Sequence, residues 1–99
     1  MVSKIHRQRV THVARLFKLL ASPTRALILA ALIRHKTCSV GALSEEIGMT
    51  HSAVSHQLAL MQKSKLVDGL KDGRNTHYSV ARTPEAKALA RFLTALLAR

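Results

Sequence analysis

Between Ser39 and Lys63 the chain reads "SVGALSEEIGMTHSAVSHQLALMQK", and the punctuation of this stretch limits the fold more than any other feature. Ser39 is a natural helix N-cap, Gly48 a natural left-handed C-cap, and Thr50 a second N-cap only two residues later. Two helices joined through about three residues that include a glycine have the shape of a helix-turn-helix. Past "KSK" the apolar period changes. Leu66–Lys71 and Asn75–Val80 read as strands, and "DGR" (Asp72-Gly73-Arg74) between them reads as a hairpin turn.

The flanks are helical. Val10, Val13, Phe17 and Leu20 recur at three- and four-residue steps, which predicts an amphipathic first helix over about residues 8–21. "ASPTR" then supplies a stop and a start, with Ser22 as N-cap and Pro23 at the first helical position. The run Leu27–Ile33 is apolar on all sides and should form the buried centre. Thr83 and Pro84 restart a last helix over about 84–98, with Glu85 in its first turn and a stripe of Leu89, Phe92, Leu93, Leu96 and Leu97. The expected fold is mainly α (α+β), a winged helix-turn-helix of order ααααββα. It forms one domain over 1–99: a basic N-terminal arm at 1–9, the helix-turn-helix at about 40–64 and the wing at about 66–81.

Charge narrows the partner. Sixteen Lys and Arg against five Asp and Glu give a net charge of +11, and the first acid is Glu45. Such a balance calls for a polyanion, either nucleic acid or an acidic membrane surface. No apolar run approaches the roughly 18 residues that span a bilayer, and "MVSKIHRQRV" lacks the apolar core of a signal peptide. A single cysteine, Cys38, excludes an internal disulfide framework and fits a reducing, cytoplasmic setting. An enzyme is not expected: the chain has no paired carboxylates, no nucleophile–base pair and no phosphate-cradling glycine loop.

The second helix of the helix-turn-helix carries the polar residues to be explained. Stepping about 100° per residue from Val54 gathers Val54, Leu58 and Met61 on one side, and sets Ser52, His56, Ala59 and Lys63 opposite, with Ser55 on the flank. A face that is short, hydroxylated and lightly basic can enter a major groove about 12 Å wide and hydrogen-bond base edges and phosphates. His51 and His56 stand about 140° apart and cannot chelate one ion. At the wing, Lys71 and Arg74 suit phosphate clamping, which fixes register without reading sequence. His77 and Ser79 alternate away from Tyr78 and Val80, and His77 is given no role beyond backbone contact.

At this point the sequence resembles the ArsR/SmtB family of winged-helix bacterial repressors, from about residue 12 to residue 98. "LLASPTRALILAAL" looks like the family's Ala-(Asp/Ser)-Pro-Thr-Arg segment and its buried helix. "CSVGALSEEIGMTHSAVSHQLALMQKSKLV" is similar to its Val-Gly-x-Leu…Gly…Ser-x-x-Ser-His-Gln-Leu…Leu-Val core, and "DGRNTHYSV" to its Gly-Arg-x-x-x-Tyr wing. The resemblance implies a homodimer joined through the first and last helices that represses transcription on a near-palindromic, double-stranded operator. It implies Ser52, Ser55 and His56 as recognition-helix contacts, with His51 at the variable position beside them. Thr50, Lys63, Lys71 and Arg74 complete the candidate DNA-binding set. Two terminal helices with apolar stripes also exceed what a 99-residue monomer needs to cover itself.

Members of this family often release DNA on binding a metal, and neither of two family site types is complete here. The last helix "TPEAKALARFLTALLAR" holds no His, Cys or Asp, and the thiolate site would have Cys38 alone. His35, with His6 and His12 from a second copy, could add ligands only in an assembled dimer. No metal site and no cofactor is therefore assigned. Cys38 stands as a possible sensor through oxidation, against the plainer role of a small buried apolar residue. Two other readings compete with the repressor: an architectural nucleic-acid-binding protein without sequence choice, and a winged-helix protein-interaction module.

Overall fold

The computed structural model describes residues 1–98, in which five helices and three strands follow in the order α1 (Lys4–Leu20), α2 (Pro23–His35), β1 (Cys38–Ser39), α3 (Val40–Ile47), α4 (His51–Lys63), β2 (Val67–Asp72), β3 (Asn75–Val80) and α5 (Pro84–Leu97). Each helix begins the same way. The hydroxyls of Ser3, Ser22, Ser39, Thr50 and Thr83 accept from the backbone N–H three residues on, at 3.1–3.4 Å. A cap of this kind stabilises a helix by about 1 kcal/mol, so the five starts are written into local chemistry.

The turn of the helix-turn-helix is fixed from both ends. Gly48 takes φ +76 as the left-handed cap of α3, and its N–H donates to the Ser44 carbonyl at 2.9 Å. Met49 N–H donates to that same carbonyl at 3.1 Å, while the buried Ser44 hydroxyl donates to the Met49 carbonyl. Helix α4 closes with Lys65 at φ +61, its N–H on the Gln62 carbonyl, and Leu66 N–H on the Met61 carbonyl. That double bond is a Schellman-type stop. It also occupies the Leu66 N–H, which is why the strand expected from Leu66 begins at Val67.

Strands β2 and β3 form a hairpin from Val67↔Val80 to Asp72↔Asn75, closed by Gly73-Arg74 with Gly73 at φ +63. On β2, Gly69 lies opposite Tyr78, and a Cβ there would stand 3.1 Å from the Tyr78 ring edge. The sheet has a third member, in a stretch whose residue pattern reads only as a break. Cys38–Ser39 pairs antiparallel with β3, Cys38 opposite Tyr78 and Ser39 opposite His77, giving the order β1-β3-β2. Two residues are too few to show a period, so only the tertiary pairing reveals this strand.

The core runs through the centre of the molecule. Ile28, Leu29, Ala31 and Leu32 of α2 meet Leu43, Val54, Leu58, Met61, Leu66, Val67 and Ala86, all buried. The all-round apolar run of α2 is nevertheless not wholly enclosed, since Leu27 is exposed. Helix α1 departs further from expectation. It starts at Lys4 because Ser3 caps it, so residues 4–9 are its first turns and not a separate arm. Its one fully buried residue is Leu16, outside the expected stripe, whereas Val10 and Phe17 remain exposed. Phe17 meets Phe92 of α5 edge to face at 6.2 Å, and Phe92, Leu96 and Leu97 are likewise exposed. No single helix among the described residues is long and apolar enough to cross a membrane.

Candidate nucleic-acid interface

Helix α4 is two-sided. Val54, Leu58 and Met61 are 0% exposed, which fixes its rotation against the core. Fixing that side leaves His51, Ser52, Ser55, His56 and Lys63 exposed. Thr50 is exposed too, but its hydroxyl is committed to capping, accepting from Ala53 N–H at 3.1 Å. The helix contains no carboxylate, and no acid intervenes between Glu46 and Asp68. An anion approaching this face therefore meets hydroxyls, imidazole and one ammonium on α4 itself. The His51 ring differs from the rest of the face, because it lies against Gly41 of α3, where a Cβ would approach its Cε1 to 3.6 Å.

Sequence reasoning missed what holds the face at its angle. Arg25 on α2 donates from Nε to Oε1 of Gln57 at 2.8 Å, and from Nη1 to the Leu19 carbonyl at the end of α1 at 3.4 Å. Arginine has no acceptor, so the bond orients the Gln57 amide with its oxygen toward Arg25. One half-buried guanidinium thus joins three helices, and its partner Gln57 is next to His56 in the chain. The only advance signal was a cation in the first turn of a helix otherwise bound for the core.

Helix α3, the other half of the helix-turn-helix, is tied to α2 by charge. Glu46 accepts from Arg34 and lies 2.7 Å from His35 Nε2. The His35 hydrogen bond, followed by the Arg34 and His35 charges, holds the Glu46 carboxyl below the usual carboxylate range. The wing presents Lys71 and Arg74 at its exposed tip, with Asp72 beside them. These two belong to the hairpin and form a second, separate element from the α4 face.

Cys38 is not on this surface. It is 7% exposed, paired in β1 against β3, and burial first, then Glu46, pushes its thiol above the ordinary value while Arg34 opposes. A thiol held protonated is a poor nucleophile and a poor metal ligand. His35 is engaged by Glu46, and His12 stands 3.8 Å from Glu85. Among the described residues, no three His, Cys, Asp or Glu side chains are grouped to hold a metal ion.

Comparison with known proteins bears on the same surface. Residues 20–69, from the end of α1 into β2, match a family model described as a helix-turn-helix domain. Over 90 residues the chain is 37% identical to the HTH-type transcriptional regulator CmtR of Mycobacterium tuberculosis, covering 91% of this chain and 75% of that protein. It is 40% identical over 68 residues to the transcriptional repressor SmtB homolog of Synechocystis sp., covering 69% of this chain and 51% of that protein. Among solved structures, reduced HlyU from Vibrio cholerae matches with a TM-score of 0.85 at 27% identity, over 98% of this chain and all of that one.

Proposed function

The chain belongs to the ArsR/SmtB family of winged-helix, DNA-binding transcriptional regulators, and on that premise we propose that it is a repressor which binds a near-palindromic operator as a homodimer. The observation that carries the reading is the two-sidedness of α4: three side chains at 0% exposure behind, and Ser52, Ser55 and His56 in front with no acid among them. Ser55 and His56 read base edges, Ser52 and Lys63 contact the edge of the groove, and Thr50 and His51 set the start of the helix. Lys71 and Arg74 clamp phosphates from the wing.

The homodimer rests on the terminal helices. Ile5, Val10 and Phe17 of α1 and Phe92, Leu96 and Leu97 of α5 leave an apolar surface that this chain does not cover itself. A second copy placed by a two-fold axis covers both helices at once and sets the two α4 helices one DNA turn apart, about 34–36 Å. Such a regulator works beside the chromosome, in the cytoplasm. Cys38 is assigned a packing role and not a sensing one, on its burial and its raised thiol pKa.

The test is binding by fluorescence anisotropy to an inverted repeat from DNA upstream of the chain's own gene, against scrambled duplex. Ser55→Ala and His56→Ala should each cost about 1–3 kcal/mol on the operator alone, whereas Arg74→Ala should weaken operator and scrambled DNA alike. A His56→Ala protein with full operator affinity would remove the reading face from α4. Equal wild-type affinity for both duplexes would favour an architectural protein. Sedimentation equilibrium should give a dimer that Phe92→Glu dissociates.

A further inference from the structure

Three cations, Lys63, Lys71 and Arg74, suffice for the contacts assigned above, yet the chain carries sixteen. Part of the surplus is ordered. On α1, Lys4, Arg7, Arg15 and Lys18 fall with Thr11 inside about 80° of the helical wheel. All five are exposed. The stripe runs 14 residue steps from Lys4 to Lys18, about 21 Å at 1.5 Å per residue. Helix α1 has no acidic residue, and among the described residues none of the four cations is in an ion pair.

Most apolar residues of α1 occupy the opposite arc. Ile5, Leu16, Leu20, Val13, Phe17 and Val10 spread over about 100–240° from Lys4, an arc that also holds Arg9, while Leu19, packed against the core, lies at about 60° beside Arg15. The core covers Leu16 and packs against Leu19 and Leu20, yet leaves Lys4, Arg7, Arg15 and Lys18 exposed. The basic side is also continuous with the end of the recognition helix. Arg15 and His12 line the same depression as Lys63, Ser64 and Lys65, at the end of α4. The one acid there, Glu85, faces His12 at 3.8 Å.

We propose that the basic stripe of α1 is a second DNA-binding track, which takes the phosphate backbone of the duplex flanking the site read by α4. The inference rests on the DNA-binding reading above and goes beyond it by adding a surface and a longer footprint. Its charge complement is a regular polyanion. Duplex DNA presents one phosphate per 3.4 Å of each strand, so a 21 Å stripe matches roughly six base pairs. Seated along the phosphate backbone and not in a groove, the stripe contributes affinity and salt dependence rather than sequence choice.

The experiment uses the full chain and two duplexes, one ending at the edges of the inverted repeat and one extended by ten base pairs on each side. Wild-type protein should bind the longer duplex at least fivefold more tightly at low salt, with a steeper fall of log K against log salt. Each phosphate that the protein ceases to neutralise should reduce that slope by about 0.9. A variant with Lys4→Gln, Arg7→Gln, Arg15→Gln and Lys18→Gln should lose both the length advantage and the slope equivalent of at least two phosphates. It should keep its preference for operator over scrambled DNA. Circular dichroism checks that α1 is intact, and Arg7→Gln with Arg15→Gln alone serves if the fourfold variant does not fold. Replacing both arginines by lysine should restore the effect. A variant that keeps slope and length advantage overturns the proposal, as does one that loses only binding to anionic phosphatidylglycerol vesicles. If wild-type protein shows no operator preference, the repressor reading fails while the length effect still decides the stripe.

Discussion

Breaking the Arg25–Gln57 bond should unseat the recognition helix without touching its reading face. The bond is short, 2.8 Å, charged on the donor side and half-buried. Hydrogen bonds to a charged partner contribute about 1.5–3 kcal/mol, and partial exposure brings the expected coupling here to about 1–2 kcal/mol. The 3.4 Å contact from Arg25 to the Leu19 carbonyl is long and adds little. Two single variants separate the bond from the charge, because Arg25→Met removes both while Gln57→Leu removes only the bond. Urea unfolding of the two single variants and the double variant yields the coupling energy, and anisotropy on operator and scrambled duplex yields the functional cost. The double variant should be no less stable than the worse single one, with a coupling of at least about 1 kcal/mol. Gln57→Leu should lower operator affinity about five- to thirtyfold, corresponding to that energy, and leave scrambled-DNA affinity unchanged. Additivity within about 0.5 kcal/mol, or an unchanged operator-to-scrambled ratio in Gln57→Leu, would refute the argument.

Two further outcomes follow from the helix-turn-helix surroundings. Glu46 has a lowered carboxyl pKa when folded, so its contribution is present above the ordinary value of 4.5 and is lost as pH falls through the depressed one. Glu46→Gln should therefore flatten the acid limb of the stability–pH curve below that value, measured by urea midpoints, and an unchanged limb would show that the His35 and Arg34 contacts do not stabilise α3. Cys38 is buried with a raised thiol pKa, so iodoacetamide should alkylate the native protein far more slowly than the urea-unfolded protein. Comparable rates in the two states would make Cys38 a sensor candidate again.

How much of this was legible in the sequence depends on the range of the interaction. Helix starts were legible because a cap is a four-residue event, and Ser22, Ser39, Thr50 and Thr83 all bond three residues ahead. The rotation of α4 was legible because Val54, Leu58 and Met61 lie on one side of a regular wheel. Strand β1 was not, since two residues carry no period and their partners, Tyr78 and His77, lie far along the chain. The Arg25–Gln57 bond, 32 residues apart, was invisible for the same reason.

The terminal helices show a different failure, and it is informative. The periodicity of α1 and α5 marks which residues avoid water, but it does not say whose atoms cover them. Leu16 and Leu89 find cover within the chain, while Phe92 at 53% and Leu96 at 65% exposure do not. A stripe that is amphipathic in sequence and half-covered in one chain carries more apolar surface than its own fold consumes. Exposed aromatic and leucine side chains at helical spacing lose stability unless something is laid over them, at about 25 cal/mol for each Å² left wet. The surplus suits an assembly, and the proposed two-fold partner is the occupant that would cover α1 and α5 together. The same reasoning applies to charge. Four unpaired cations on the opposite side of α1 repel one another, and a polyanion seated along them removes that cost just as a second copy removes the apolar one.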